Sequence, residues 1–299
     1  MPIPYQLLNP ASVETSLSVT VGKLIVGQAE FDQVRATLQS RYSETARINV
    51  DAKGPGGILT AKLEADARGT TMRLEVEAEE FTPAQWPWFQ TSNGVLIERG
   101  VTNLQAELTG TGETMNESLA TLSGRVFTEI GEGRLISRGL RQLGTGIGTA
   151  LFKTLNPFVH PTTHTNLRCA VSLAQIQDGV ARFDRSLALE TDRASLIASG
   201  FADLGKGQLD LVARPSVAAG LTPRLGDLAG TIRIHGPLGA PQISVGAPNP
   251  LRLGATIATA GQTWLWKGLL ETLNPSPKPC DVARHAALEP DRASAPQGR

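Results

Sequence analysis

His160 and His164 stand four residues apart, a spacing that lets two imidazoles reach one metal ion when the segment is helical. Here His160 precedes Pro161, the segment reads as a loop after a helix, and no third protein ligand lies nearby. The pair therefore reads as surface histidine, and His235 and His285 are isolated in sequence. Nucleophilic chemistry has no better footing. No serine sits in a G-x-S-x-G elbow, and no H-E-x-x-H motif occurs. Gly144, Gly146 and Gly148 follow a G-x-G-x-G spacing, which does not aim successive N–H groups at one phosphate, and Lys153 is misplaced for a Walker loop. Those glycines suit the close approach of a helix to a sheet. Glu75, Glu77 and Glu79 share one strand face with Arg73, an arrangement tolerated only where water screens it. The expectation is a non-enzymatic chain with no catalytic residue, no metal and no cofactor.

Cys169 and Cys280 allow one internal disulfide and cannot form a four-sulfur metal site. In an oxidising compartment they would be partners, clasping the C-terminus to the sheet. In a reducing one they would be two thiols. The densest aromatic patch, Trp86-Pro87-Trp88-Phe89, reads as a plug for the open end of a sheet layer. Trp264 and Trp266 straddle both faces of a helical segment, which leaves one of them for a membrane or partner surface.

The elements that carry these residues are mostly strands. Ala61, Leu63, Ala65 and Ala67 alternate with Lys62, Glu64, Asp66 and Arg68. After a Gly-Thr turn, Met72, Leu74, Val76 and Ala78 alternate with Arg73, Glu75, Glu77 and Glu79. This predicts a hairpin with one dry face and one charged face, as in an antiparallel sheet, and argues against a doubly wound parallel one. The pattern recurs through Leu104-Ala106-Leu108, Leu187-Leu189, Leu196-Ala198, Leu209-Leu211-Ala213 and Ile232-Ile234, each run ending near Gly, Asp or Pro. Two segments instead follow helical spacing, near 139–155 and near 257–273. Both stop at Asn-Pro, and LFKTLNP at 151–157 echoes LLETLNP at 269–275. The polar, proline-bearing tail over 281–299 is expected to be disordered.

Composition sets the outer limits. The 299 residues carry 28 basic and 28 acidic side chains, which removes the electrostatic drive for nucleic-acid binding. With 31 Gly, 19 Pro and 5% aromatics, the chain has many turns and a core of aliphatic residues. MPIPYQLLNP lacks the basic and apolar regions of a secretory signal, and no run of eighteen apolar residues occurs.

Taken together, the strands, the two helical segments and the cysteines resemble the C-terminal portion of the AsmA family, within the AsmA/TamB-like bacterial envelope proteins. The stretch 167–215 carries the resemblance most specifically. It is similar to the family pattern of a cysteine strand, an Asp178-Gly179 turn, a strand ending in LET, a strand reaching Gly200 and an L-D-L strand. GDLAGTIRIHGPLGAPQISV at 226–245 resembles the strand, G-P-L turn and short strand that follow, and NPSPKPC at 274–280 the terminal helix stop and cysteine. The resemblance divides the chain into a β-groove segment at 1–138, a C-terminal region at 139–280 and the tail.

The resemblance implies an inner-membrane anchor, a place on the periplasmic side of the Gram-negative envelope, and a long curved sheet whose apolar face resembles that of bridge-like lipid-transfer proteins. The chain departs from the family by lacking the anchor and much of the usual length, as a truncated gene, a misplaced start codon or a fragment would. The expected architecture is mainly β: a long, groove-like, predominantly antiparallel sheet with about two helices packed on or across it. The expected function is envelope homeostasis through phospholipid or another acyl lipid held along the apolar face, with Leu63, Leu74, Leu187, Leu196 and Leu209 as candidate contacts. The rival expectations are an assembly factor that touches outer-membrane proteins through an open sheet edge, and a periplasmic hydrolase.

Overall fold

The structure, a computed structural model, describes residues 14–26, 29–40, 45–54, 56–66, 70–82, 90–91, 94–95, 97–136, 164–192, 194–217, 231–239, 241–246 and 278–288. The first strands are β1 (Thr15–Val26), β2 (Ala29–Ser40), β3 (Thr45–Lys53), β4 (Ile58–Asp66) and β5 (Thr71–Phe81). Three two-residue strands follow: β6 (Gln90–Thr91), β7 (Gly94–Val95) and β8 (Ile97–Glu98). Next come β9 (Thr102–Thr111), α1 (Met115–Thr121), β10 (Ser123–Ile130) and β11 (Gly133–Ile136). The remaining elements are β12 (His164–Gln177), β13 (Val180–Thr191), β14 (Ala194–Asp203), β15 (Gln208–Val217), β16 (Thr231–Pro237), β17 (Gln242–Gly246) and α2 (Pro279–Leu288).

The fold is mainly β, built on one open antiparallel sheet. Its order runs β1-β2-β3-β4-β5-β9-β10-β12-β13-β14-β15-β16-β17, with β11 and β8 beside β12 and β6 paired only with β7. The order follows the sequence because neighbouring strands alternate polar and apolar residues and are joined by tight turns. Asp66 closes the β4–β5 turn by accepting from the Thr70 backbone N–H at 2.8 Å and the Thr70 hydroxyl at 3.1 Å. Between β14 and β15, Asp203 accepts from the backbone N–H and the ammonium of Lys206, both at 2.8 Å. These contacts hold the Asp203 carboxyl below the usual carboxylate range, the Lys206 ammonium contributing most. The boundary expected at residue 138 is no break in the sheet, because β10 and β11 both pair with β12.

Bulges preserve the two faces along the strands. Register shifts fall between Asp32 and Arg35, Ala78 and Phe81, and Phe183 and Leu187. Gln33, Glu80 and Arg185 occupy those sites with positive φ. The inserted residue explains how Phe31 and Val34, and likewise Ala78 and Phe81, lie three apart yet join one buried cluster. Gly124 in β10 has φ of 139° and lies so close to β9 that a Cβ would run into the Glu107 carbonyl.

Two described helices flank the sheet, and neither falls where helical spacing placed one. The segments near 139–155 and 257–273 lie outside the described residues. The tail expected to be disordered from 281 is instead helical through Leu288, because α2 is tied down by contacts described below. At α1, Thr114 caps the helix by accepting from the Glu117 N–H at 3.3 Å, and the Glu117 carboxylate accepts from the Glu113 N–H at 2.8 Å. Leu122, just past α1, is buried with Ile176, Ala181 and Ala202 at one end of the apolar face.

Candidate functional site

The site with the most extensive construction is a face of the sheet. Following directly opposed residues from strand to strand, one row runs Leu17–Leu38–Ile48–Leu63–Leu74–Leu108, then Gly124–Ile176–Ala181–Ala202–Leu209–Gly236. It crosses the sheet from β1 to β16 without one polar side chain. A parallel row runs Val19–Ala36–Val50–Ala61–Val76–Ala106–Val126–Ala174. A third passes from Ala52 through Leu59, Ala78 and Leu104, meets Thr128 and Ser172, and continues through Leu187, Ala198, Ala213 and Ile232.

The opposite face carries the charge. One residue away from the first row, Thr37–Asn49–Lys62–Glu75–Glu107–Arg125–Gln175–Arg182 is polar across eight strands. Arg47 and Glu64 pair there at 2.7 Å, and Arg125 and Glu107 at 3.1 Å. Lys62 and Arg73 lie at 4.0 and 3.9 Å from Glu75, so cations neighbour the acid-rich strand. Glu75, Glu77 and Glu79 line this charged face.

All five leucines singled out from the sequence lie on the apolar face. Leu63, Leu74 and Leu209 occupy the first row and Leu187 the third. Leu196 lies opposite Leu189, one row further. Their burial differs. Leu63, Leu74, Leu187 and Leu209 are half-buried, whereas Leu196 is 9% exposed and packs with Ala198, Ala213 and Ile232 as ordinary core. The face is most open at β1, where Leu17 is 52% and Val19 43% exposed. Sequence reasoning placed Val76 on the dry face of the hairpin but did not single out Leu17, Val19 or Ile48, although the same alternation marks them.

An apolar island interrupts the charged face, and α2 sits on it. Phe127, Val171, Cys169 and Ala188 pack against Cys280 and Ala283. A disulfide joins Cys169 to Cys280, with Cα atoms 6.5 Å apart. The Glu190 carboxylate accepts from the Cys280 backbone N–H at 2.8 Å, and Arg284 donates to Glu129 at 2.6 Å and to Asp281 at 2.8 Å. Burial works against the Arg284 charge, yet Glu129 and Asp281 outweigh it and raise its pKa above the ordinary value. Cys169, Glu190 and Cys280 converge as three metal ligands would, but their sulfurs are joined to each other and offer no thiolate. The α2 helix thus covers the charged face, and α1 touches β9.

His164 begins β12, His235 lies opposite Asp210 in β15, and His285 is on α2. His160, the 144–148 glycines, the 86–89 patch, Trp264 and Trp266 lie outside the described residues. No helix among the described residues is long and apolar enough to cross a membrane. No family model matches the chain, and searches of curated proteins and of solved structures find no match.

Proposed function

We propose that this protein is an AsmA-like, non-enzymatic component of the Gram-negative envelope that holds or conducts acyl lipid along the apolar face of its sheet. The observation that carries the reading is the row from Leu17 to Leu209, apolar at every position across the sheet and backed on the other face by charge. Burial of apolar area is worth about 25 cal/mol per Å², or about 0.8 kcal/mol per methylene. An acyl chain on such a face is held without directional bonds and can slide along it. Leu17 and Val19, well exposed on this face, and the half-buried Leu63 and Leu74 supply a stretch of the track.

Two further features support the assignment. A buried disulfide fits an oxidising compartment such as the periplasm. The residues at 167–215 that resemble the AsmA family fall on β12 to β15, within the same apolar face. The ligand is proposed to be phospholipid or another acyl lipid, and the place of action the periplasmic side of the inner membrane. Native mass spectrometry of protein purified without detergent tests the reading. Copurified phospholipid, lost when Val76 is replaced by Asp in a variant that still melts cooperatively, is the expected result. Lipid-free protein from a lipid-rich membrane extract would overturn it.

A further inference from the structure

The two edges of the sheet are built differently. On one side, β17 is five residues long and follows Pro241, a short and proline-flanked edge of the kind that resists further pairing. On the other side, β1 is twelve residues long, has no proline, and has Lys23 as its sole charge. Among the described residues no strand pairs with its outer edge. Leu17, Val19, Leu24 and Val26 are between 41% and 52% exposed there, so the apolar face runs open to the last strand. An edge of this length, with main-chain donors and acceptors and an apolar row, is a template for strand addition.

We propose that the occupant of this edge is a second copy of the chain, with the two β1 strands pairing antiparallel about a two-fold axis at Val19. The sequence of β1 is self-complementary in that register. Val19 meets its own counterpart, Leu17 meets Val21, Ser18 meets Thr20, Ser16 meets Gly22 and Thr15 meets Lys23. Apolar side chains thus stand beside apolar ones and hydroxyls beside hydroxyls, and no like charges oppose each other. Moving the axis to Val21 sets Lys23 against Val19 on the other copy. An axis between residues sets the apolar row of one copy beside the hydroxyl row of the other. The contact is isologous, so it closes at two copies, and the short β17 edges remain at the outside. The apolar rows of both copies then join across the axis. The inference stands on the edge geometry and does not require the lipid reading.

Val19→Cys tests the axis directly. Directly opposed residues of an antiparallel pair have Cα atoms about 4.5–5.5 Å apart, within disulfide reach. Under mild oxidation the Val19→Cys chain is expected to run as a covalent dimer. Leu17→Cys and Val21→Cys are expected to form no covalent dimer alone and to crosslink when mixed. Light scattering of the unmodified protein at micromolar concentration is expected to give twice the chain mass, falling to the single mass in Val19→Lys with the melting temperature retained. A single mass for the unmodified chain at every concentration overturns the proposal. So does self-crosslinking of Val21→Cys in place of Val19→Cys, or photocrosslinks from β1 that capture an outer-membrane protein rather than a second copy.

Discussion

Leu63 of β4 stands directly opposite Leu74 of β5, and one residue away Lys62 stands opposite Glu75 on the other side of the sheet. That paired alternation, repeated from strand to strand, separates an apolar surface from a charged one within a single layer. A sheet that packed both faces into a core would carry apolar residues at both positions. Among the described residues, the region under α2 does so.

Breaking the disulfide should free α2 and leave the sheet folded. Cys169 and Cys280 are 111 residues apart, a loop for which the chain-entropy estimate gives about 4–5 kcal/mol. Hydrogen exchange after reduction, or in Cys280→Ser, should show protection lost over 279–285 and retained over β3 to β5. Equal loss across both regions would show that the sheet depends on the clasp.

Arg284→Ala should loosen the same helix to a smaller degree. Its ion pairs with Glu129 and Asp281 are partly exposed, so a loss of about 1 kcal/mol or less is expected from denaturant unfolding. The effect on α2 exchange should be larger in the reduced protein, where Arg284 and the Glu190 contact are the remaining polar ties.

Gly124→Ala should be far more damaging than its size suggests. The residue combines φ of 139° with a close approach to the Glu107 backbone, and alanine cannot satisfy both. A loss of about 2 kcal/mol or more, read from the midpoint of urea unfolding, is expected. Gly239→Ala, with open space around its Cβ position, is the control and should unfold like the parent.

The Asp203 turn gives a pH dependence with a fixed sign. Its carboxyl is lowered in the folded state, so the unfolded chain binds the proton more tightly and protonation favours unfolding. The contribution is fully present above the ordinary aspartate range and disappears as pH falls through the lowered value. Asp203→Asn should therefore reduce stability at neutral pH and flatten the acid limb of the stability profile relative to the parent.

Strand alternation made much of this fold legible. Residues 61–67 and 72–78 announce a hairpin because side chains on a strand repeat every two residues, and the structure places β4 and β5 there. Which distant strands meet was less accessible: β5 pairs with β9 across an intervening stretch of short strands, a choice that depends on tertiary packing. The helix α1 was missed although Thr114 and Glu117 form a capping-box pattern, because only seven residues follow it and no long apolar stripe marks it. The docking site of α2 was also written in the chain. LRCAVSLAQIQ at 167–177 is apolar at alternate positions on both faces, the mark of a strand covered on both sides. The helix itself lies in a proline-rich tail whose local composition gives no hint of the Glu190 contact and the Arg284 ion pairs that order it.

The most direct test of the lipid account is photocrosslinking inside living Gram-negative cells from single positions on the two faces. A photoreactive residue at Leu63 or Val76, on the apolar rows, is predicted to capture phospholipid, while the same residue at Lys62 or Glu77 captures none. Equal lipid labelling from both faces, or labelling from neither with the fold intact, would contradict it.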